Sequence, residues 1–513
     1  MDPAAADIAH LFRRAGFGAL PAQLDHLTPY GYAAGVDYLL DTATPDPGVA
    51  GLSPPDVVSS VVWSTDPSVR SMQNQDLSGQ DNMLASWWLS RMARAERPLI
   101  EKMALFWHGH FATAISKVGS AELMWNQSQL FRQMGLGNFE DLVVAVSKDP
   151  AMLIWLDNRT NRKQAPNENY GRELMELFTL GIGNYTELDV RAAARAFTGW
   201  NMKVTQRQPN GKRIAAAEFF FNARQHDDGQ KTFLGQTGNW NGDDIIRIIL
   251  AKPASAQFIV GKMFSFFVWD NPDAATLQPF VDVYTKSHYD LRATMQAILR
   301  SPQFSSEQAY RAKIKSPAEA VVEMMKQLGV TVPPPRVVVS TTLQGQQLFN
   351  PPNVGGWTSG LGWISTNSLL ERYNFANALL TGQGEGSIAA ALKNYEAQRG
   401  GGTTQSGAAL AAVSGASQAN GQTRMTGRPA YAVNPATLLA GKDLSTPESV
   451  VDACLGLFLD GDVAASIRTA LVSYLKLGAD GKPGTFTLND QTMDDKVRGV
   501  LHLTMTAPTY QLN

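Results

Sequence analysis

Apolar residues recur three and four positions apart along most of the chain, which predicts a succession of amphipathic helices. Thr186 and Asp189, three residues apart, form an acidic capping box that marks one helix start. The helices predicted in the N-terminal half cover residues 7–15, 82–94, 98–111, 139–146, 170–180 and 187–197. Those predicted further along begin near 243 and cover 254–267, 274–286, 291–300, 318–328, 365–380, 446–459, 463–475 and 494–505. The fold class is therefore mainly α, a multi-helix globular fold.

One part of the chain departs from the helical period. Residues 203–207 and 214–221 are rich in residues that favour strands, and they flank Asn210-Gly211. Asn-Gly between two such runs is the strongest short-range signal for a β-hairpin. The sequence thus predicts one small hairpin near 203–221, followed by a loop rich in Gly, Asp and Asn.

A second departure lies at residues 399–428, where Gly, Ser, Thr, Ala and Gln dominate. Such a composition buries too little apolar surface to offset the entropy lost on ordering, which predicts a disordered insertion. We therefore expect a helical core domain over 1–398, the insertion over 399–428, and a C-terminal helical unit over 429–513 that packs on the core.

Composition narrows the function classes. The chain carries 44 basic and 46 acidic residues, so its net charge gives no reason to expect a nucleic-acid partner. Its one cysteine, Cys454, excludes an internal disulfide, a cysteine metal cluster and a CxxC redox pair. No apolar run of about 18 residues would span a membrane, and the N-terminus lacks the features of a signal peptide. The sequence as written is typical of a cytoplasmic protein, and of an exported one if a leader had been trimmed.

The stretch 167–200 carries the densest candidate chemistry. Asn169, Arg172, Glu173 and Glu176 share one face of the predicted helix, because they follow one another at three- and four-residue steps. Two carboxylates one turn apart can bind a divalent metal or divide the roles of general acid and base. The alternative is a structural ion pair between Arg172 and Glu176 that fixes this helix to a neighbour.

Two histidines lie at the end of another predicted helix. His108 and His110 are two residues apart, so their side chains point about 200° apart and do not chelate one metal together. Each remains a candidate by itself, His108 as a metal ligand and His110 as a proton donor or ligand. The alternative is a histidine held by hydrogen bonds at a helix junction.

Two loops are candidates for ligand binding. Asp157 and Asn158 precede a cationic stretch that leads to Asn167, and arginines there can hold an anionic or sugar-like ligand. The alternative is a solvated connection capped by the two side chains. In the second loop, Asn353 precedes a Gly-Gly pair and Trp357, which suits stacking on a ring, whereas the alternative is a tryptophan that fills the core.

Four blocks resemble a known family. They are residues 10–18 (His-Leu-Phe-Arg-Arg-Ala-Gly-Phe-Gly), 106–111 (Phe-Trp-His-Gly-His-Phe), 167–200, and 348–357 (Leu-Phe-Asn-Pro-Pro-Asn-Val-Gly-Gly-Trp) with Trp363. In this order they resemble the bacterial DUF1800 family, whose biochemical role is not established. Its members are often exported and often encoded beside a second family, DUF1501, which resembles alkaline phosphatases and sulfatases. The resemblance implies a DUF1501-like partner.

Two hypotheses of function follow. The first is an enzyme with a polar pocket built from the 167–200 block, the His108 and His110 helix end and the Trp357 loop, performing metal-assisted hydrolysis of a polar or glycan-like substrate. In it Glu173 or Glu176 acts as base or metal ligand, and Arg172 stabilises charge. The second is a non-catalytic binding or assembly protein. The sequence has no Walker, Rossmann, serine-hydrolase or haem-attachment motif.

Overall fold

The structure is a computed structural model, and it describes residues 3–57, 67–207, 214–382, 429, 431–477, 482 and 484–513. The helices of the first part are α1 (Pro3–Arg14), α2 (Pro21–Leu27), α3 (Gly31–Leu40), α4 (Pro67–Arg94), α5 (Leu99–His110), α6 (Ile115–Val118), α7 (Ala121–Met134), α8 (Phe139–Lys148), α9 (Pro150–Trp155), α10 (Asn169–Glu173) and α11 (Glu187–Ala196). A π-helical turn, Leu174–Thr179, continues α10 directly.

The remaining helices follow two short sheets. They are α12 (Gly242–Leu250), α13 (Pro253–Phe267), α14 (Ala274–Lys286), α15 (Leu291–Leu299), α16 (Pro317–Gln327), α17 (Val337–Leu343), α18 (Thr366–Thr381), α19 (Pro435–Leu438), α20 (Pro447–Phe458), α21 (Ala465–Lys476), α22 (Asp490–Thr492) and α23 (Arg498–Thr506). Single turns of 3-10 helix occur at Thr28–Tyr30, Asn158–Thr160, Gly360–Trp363 and Pro508–Gln511. The mainly α class predicted from the sequence is confirmed.

Local capping explains where many helices begin. The predicted capping box is confirmed, since the Thr186 hydroxyl accepts from the Asp189 N–H while the Asp189 carboxylate accepts from the Thr186 N–H. Asn138 starts α8 by accepting from the N–H groups of Glu140 and Asp141. These bonds satisfy amide groups that have no partner inside the helix, which is why short polar residues fix the boundaries.

Two antiparallel pairs of strands make up the β structure of the described residues. Strand β1 (Trp200–Arg207) pairs with β2 (Ile214–Phe221), so the two strands of the predicted hairpin are confirmed, and β1 begins three residues earlier than predicted. The predicted turn at 209–212 lies outside the described residues. The second pair, β3 (Lys231–Phe233) with β4 (Gln236–Gly238), lies where the sequence predicted only a loop.

The core is assembled from nearly every helix, with Trp88, Trp107 and Tyr170 among its largest buried side chains. C-terminal residues contact the earlier helices, since the Val433 N–H donates to the Leu379 carbonyl at 2.9 Å. The predicted insertion at 399–428 lies outside the described residues, and the division into domains stays a prediction. Over the part that the structure describes, we find no helix with both the length and the apolar character needed to cross a membrane.

Candidate functional site

A close backbone contact joins the end of α5 to the tryptophan loop. Gly356 has φ of 82°, and a Cβ at this position would lie 2.5 Å from the Gly109 carbonyl oxygen. Only glycine accepts both the left-handed conformation and the close approach. The contact brings Trp357 beside the two histidines, and its ring centroid lies 5.2 Å from that of His108.

A cavity of about 430 Å³ opens next to this contact. Its walls are largely apolar and aromatic, formed by Leu105, Phe106, Phe258, Phe266, Trp357 and Trp363. Charged and imidazole groups also border it, namely Arg14, His110, Lys262, Asp270, Lys313 and Glu319. The structure thus brings His110 and Trp357 to one cavity and adds residues from α1, α13 and α16, whereas the 167–200 block, which the sequence placed in the same pocket, does not line it.

His110 is held in one tautomer. Its Nε2 lies 2.9 Å from the Phe178 carbonyl, so Nε2 carries the proton and donates it. Nδ1 therefore bears the lone pair, and it has no hydrogen-bond partner among the described residues. Burial, with a smaller contribution from Lys262, lowers the pKa of His110 well below its usual range. The ring is a neutral acceptor at neutral pH.

The π-helical turn supplies the carbonyl that holds His110. The Leu180 N–H donates to the Met175 carbonyl, five residues back, which is the hydrogen-bond step of a π-helix. At this helix end the Phe178 carbonyl accepts from His110, and the Leu177 carbonyl accepts from Lys262 at 3.2 Å. Helix C-terminal carbonyls lack partners within the helix, and here side chains that border the cavity satisfy them.

Lys262 is the residue that sequence reasoning missed. It lies on α13, its ammonium is 4.7 Å from the centroid of the Phe258 ring, and burial lowers its pKa to about 8. No carboxylate among the described residues forms an ion pair with it. A lone lysine within the largely apolar residues 254–267 was the available signal, because removing an ammonium from water costs free energy unless it is paired.

The other charges around the cavity have partners. Arg14 donates to the Phe267 and Val268 carbonyls at the C-terminal end of α13, at 3.0 and 2.5 Å. Lys313 pairs with Asp270, and Glu319 pairs with the buried Lys102. These contacts hold the walls in place. Neither Arg14 nor Lys262 forms an ion pair among the described residues, but Arg14 donates to two carbonyls whereas Lys262 donates to one.

The carboxylates of the 167–200 block lie outside the lining of this cavity. The Tyr185 hydroxyl donates to Glu176 at 2.7 Å, and burial, together with the neighbouring Glu176, raises the pKa of Glu173. Arg172 differs from the predicted pairing with Glu176, since its guanidinium donates to Glu187 at 2.7 and 2.8 Å and to Glu168. The physical reason is that α10 ends at Glu173, so the α-helical spacing of four no longer relates Arg172 to Glu176.

The amides before this block form a network of their own. Asn161 donates to Asn158 at 3.1 Å and accepts from the Asn167 N–H at 2.9 Å, and the Asn167 side chain accepts from the Asn169 N–H. Asp157 pairs with Lys117. A second depression, of about 680 Å³, lies beside Asn167, with Arg159 and Arg162 on its rim. These predicted ligand residues lie together, and they lie apart from the cavity at His110.

His108 and Asn353 serve the geometry of the tryptophan loop. The Phe349 N–H donates to His108 Nε2 at 2.9 Å, and burial lowers the pKa of His108 to about 3. The exposed Asn353 side chain accepts from the Gly355 N–H. Among the described residues we find no three His, Cys, Asp or Glu side chains placed to hold a metal ion.

Fold and site together define the class, a mainly α-helical protein with an aromatic, cation-bearing cavity. A family model described as Protein of unknown function (DUF1800) matches residues 10–512, and the chain belongs to this family. The resemblance seen in the four sequence blocks is thereby confirmed. No curated protein and no solved structure matches the chain.

Proposed function

We propose that the protein binds a small organic molecule in the cavity between α5, α13 and the Trp357 loop. The observation that carries the proposal is that residues distant in sequence, Arg14, His110, Lys262 and Trp357, border one cavity. A volume of about 430 Å³ and apolar walls with a few placed polar groups are typical of small-molecule sites.

Each wall has a distinct part in this proposal. The aromatic rings of Phe258, Trp357 and Trp363 contact a flat apolar body, since aromatic pairs gain from stacked and edge-on contacts. Neutral His110 contributes its ring to the wall, because its Nε2 donates to the Phe178 carbonyl and its Nδ1 is enclosed by protein atoms. The ligand is thus held by shape first and oriented by the ammonium of Lys262.

A cavity-filling substitution tests the site. Ser265 on α13 lines the cavity, whereas Gln257 on the same helix is exposed and outside it. We expect compounds selected by a ligand-detected NMR screen to bind Ser265→Phe at least about tenfold more weakly than wild type. The matched control, Gln257→Phe, should bind them as wild type does. Equal affinity for all three folded proteins would place the compounds elsewhere and end the proposal.

Metal-assisted hydrolysis is the second candidate function, and one observation favours it. Glu173 is half-buried beside Glu176, and the pKa of its carboxyl is raised, which is the environment of a proton donor or of a group that gains from a cation. This candidate uses a different surface from the cavity at His110. It requires further ligands from substrate or water, because the pair supplies only two carboxylates.

Elemental mass spectrometry tests this second candidate. Purified wild type should hold about one divalent metal per chain, Glu173→Gln should lose it, and Glu187→Gln should keep it, because Glu187 pairs with Arg172 instead. Wild type without metal would remove the candidate.

The assembly role is a proposal that rests on the family resemblance. A DUF1501-like protein is the implied partner. Co-purification of the two proteins when they are expressed together, without any compound bound in the cavity, would favour this role over small-molecule binding.

A further inference from the structure

We propose that the ligand of the His110 cavity is a small organic monoanion, such as an aromatic carboxylate, whose charged group binds Lys262. This inference rests on the proposed function and deepens it by naming the ligand class. The ammonium of Lys262 borders the cavity, and its one hydrogen bond among the described residues goes to the Leu177 carbonyl. A desolvated cation with one neutral partner has donors left for an anion.

Comparison with the other lysines whose pKa is lowered supports the assignment. Burial lowers the pKa of five lysines among the described residues, Lys102, Lys231, Lys262, Lys315 and Lys326. In four of them at least one nearby carboxylate favours the charged form. Lys262 differs, since burial alone accounts for its lowered pKa of about 8. Ion pairs hold Lys102 and Lys315, and more distant acids act on Lys231 and Lys326, whereas a bound anion would provide the counter-charge for Lys262.

The charges around the cavity limit the ligand to a single negative charge. Asp270 is paired with Lys313, and Glu319 is paired with Lys102, so neither acid is available to Lys262. Both acids would also repel a second negative charge. His110 is neutral and adds no positive charge, and the Arg14 guanidinium already donates to the Phe267 and Val268 carbonyls. A carboxylate therefore fits the cavity better than a phosphate dianion.

The neighbours of Lys262 indicate the rest of the ligand. Phe258 packs under the ammonium, and Phe106, Phe266 and Trp357 continue the aromatic wall. An aromatic ring in this space gains apolar burial, and its carboxylate gains a charge-assisted hydrogen bond in a site of reduced solvent access. The two gains favour a molecule in which ring and acid are adjacent.

Isothermal titration with three compounds of one shape tests the inference. The compounds are 2-naphthoate, its neutral amide and 2-naphthylmethylamine, titrated into the full chain. We expect wild type to bind the acid at least about tenfold more tightly than the amide, and to bind the amine most weakly. In Lys262→Met the preference for the acid should disappear, whereas Lys262→Arg should retain part of it. Lys286→Met, which removes an exposed lysine of α14, should behave as wild type.

The outcomes separate the two proposals. Equal affinity for acid and amide, with both lost in Ser265→Phe, would overturn the anion assignment and leave the binding site standing. A preference for the acid that survives in folded Lys262→Met would overturn the role of Lys262. Absence of binding by all three compounds at millimolar concentration would overturn the binding site and the anion assignment together.

Discussion

Lys315 is buried and Lys262 is half-buried, and loss of solvation lowers the pKa of each to about 8, yet they lie in opposite settings. Lys315 is 2.7 Å from Glu323, and both side chains are 1% exposed. Lys262 borders a cavity and has no carboxylate partner among the described residues. The comparison teaches that burial of a charge does not by itself mark a site. What marks Lys262 is partial burial beside a cavity without an ion-paired carboxylate among the described residues.

The surroundings of Lys315 explain why the fold needs that charge. The Lys315 ammonium donates to the Tyr510 carbonyl at 2.6 Å, and the Lys315 backbone carbonyl accepts from the buried Arg372 at 2.8 Å. Arg372 also donates to Gln511 at 2.9 Å. The Lys315–Glu323 ion pair and its neighbour Arg372 thus connect α16 and α18 to the C-terminal turn, and their role is structural.

Removing the counter-charge of Lys315 should cause the largest loss of stability. Glu323→Gln keeps the shape of the side chain and leaves a buried ammonium without its carboxylate, so we expect a loss of about 3 kcal/mol in the free energy of unfolding. Urea denaturation followed by circular dichroism measures it. A loss below about 1 kcal/mol would mean that Lys315 is not dependent on this pair.

Asp149 is a buried acid that forms no ion pair among the described residues. Asp149 accepts from Gln127 and from the Met152 N–H, and burial raises its pKa to about 7. The folded protein therefore binds more protons than the unfolded chain between about pH 4 and 7, so the contribution of Asp149 to stability falls as pH rises through that window. The difference in free energy of unfolding between Asp149→Asn and wild type should therefore move in favour of the variant by about 2 kcal/mol from pH 5 to pH 8.

Urea denaturation at the two pH values measures this change. The matched control is Asp273→Asn, an exposed N-cap whose pKa is lowered by hydrogen bonds from Thr276. Its stability relative to wild type should stay the same at pH 5 and pH 8, because a carboxyl with a lowered pKa changes stability only below about pH 4. A gain as large as that of Asp149→Asn would contradict the assignment.

Substitution of Lys262 should change stability least. Lys262→Met removes a desolvated ammonium and one hydrogen bond to a carbonyl, so the free energy of unfolding should change by less than about 1 kcal/mol. Lys315→Met is the control, and it should be strongly destabilised because it leaves Glu323 buried without its cation. Thermal and urea unfolding of both variants compare them, and similar losses would remove the distinction drawn between the two lysines.

Local chemistry made most helices predictable. The capping box at Thr186 and the hairpin strands depend on neighbours in sequence, and both were found. The β3 and β4 pair was missed because its turn residues, Leu234 and Gly235, both have positive φ, at 46° and 82°. Asn-Gly or Asp-Gly is the usual sequence signal for such a turn, and Leu-Gly does not carry it.

The candidate site was predictable only in part. His110 and Trp357 stood out by residue type, and the structure places both on one cavity. Glu173 and Glu176 stood out equally, yet they lie outside its lining. The difference depends on tertiary packing, namely the close backbone contact between Gly356 and Gly109 and the packing of α13 beside the cavity. The spacing of apolar residues in the sequence does not predict either contact.

The π-helical turn Leu174–Thr179 amounts to one residue inserted into a helix. Because an α-helix advances about 100° per residue, the insertion rotates everything after Glu173 by that angle relative to what precedes it. Arg172 therefore faces Glu187, while the Leu177 and Phe178 carbonyls face Lys262 and His110. Deleting one residue here would restore a regular helix and turn those carbonyls away, so the chain length of this turn sets the alignment of the cavity wall.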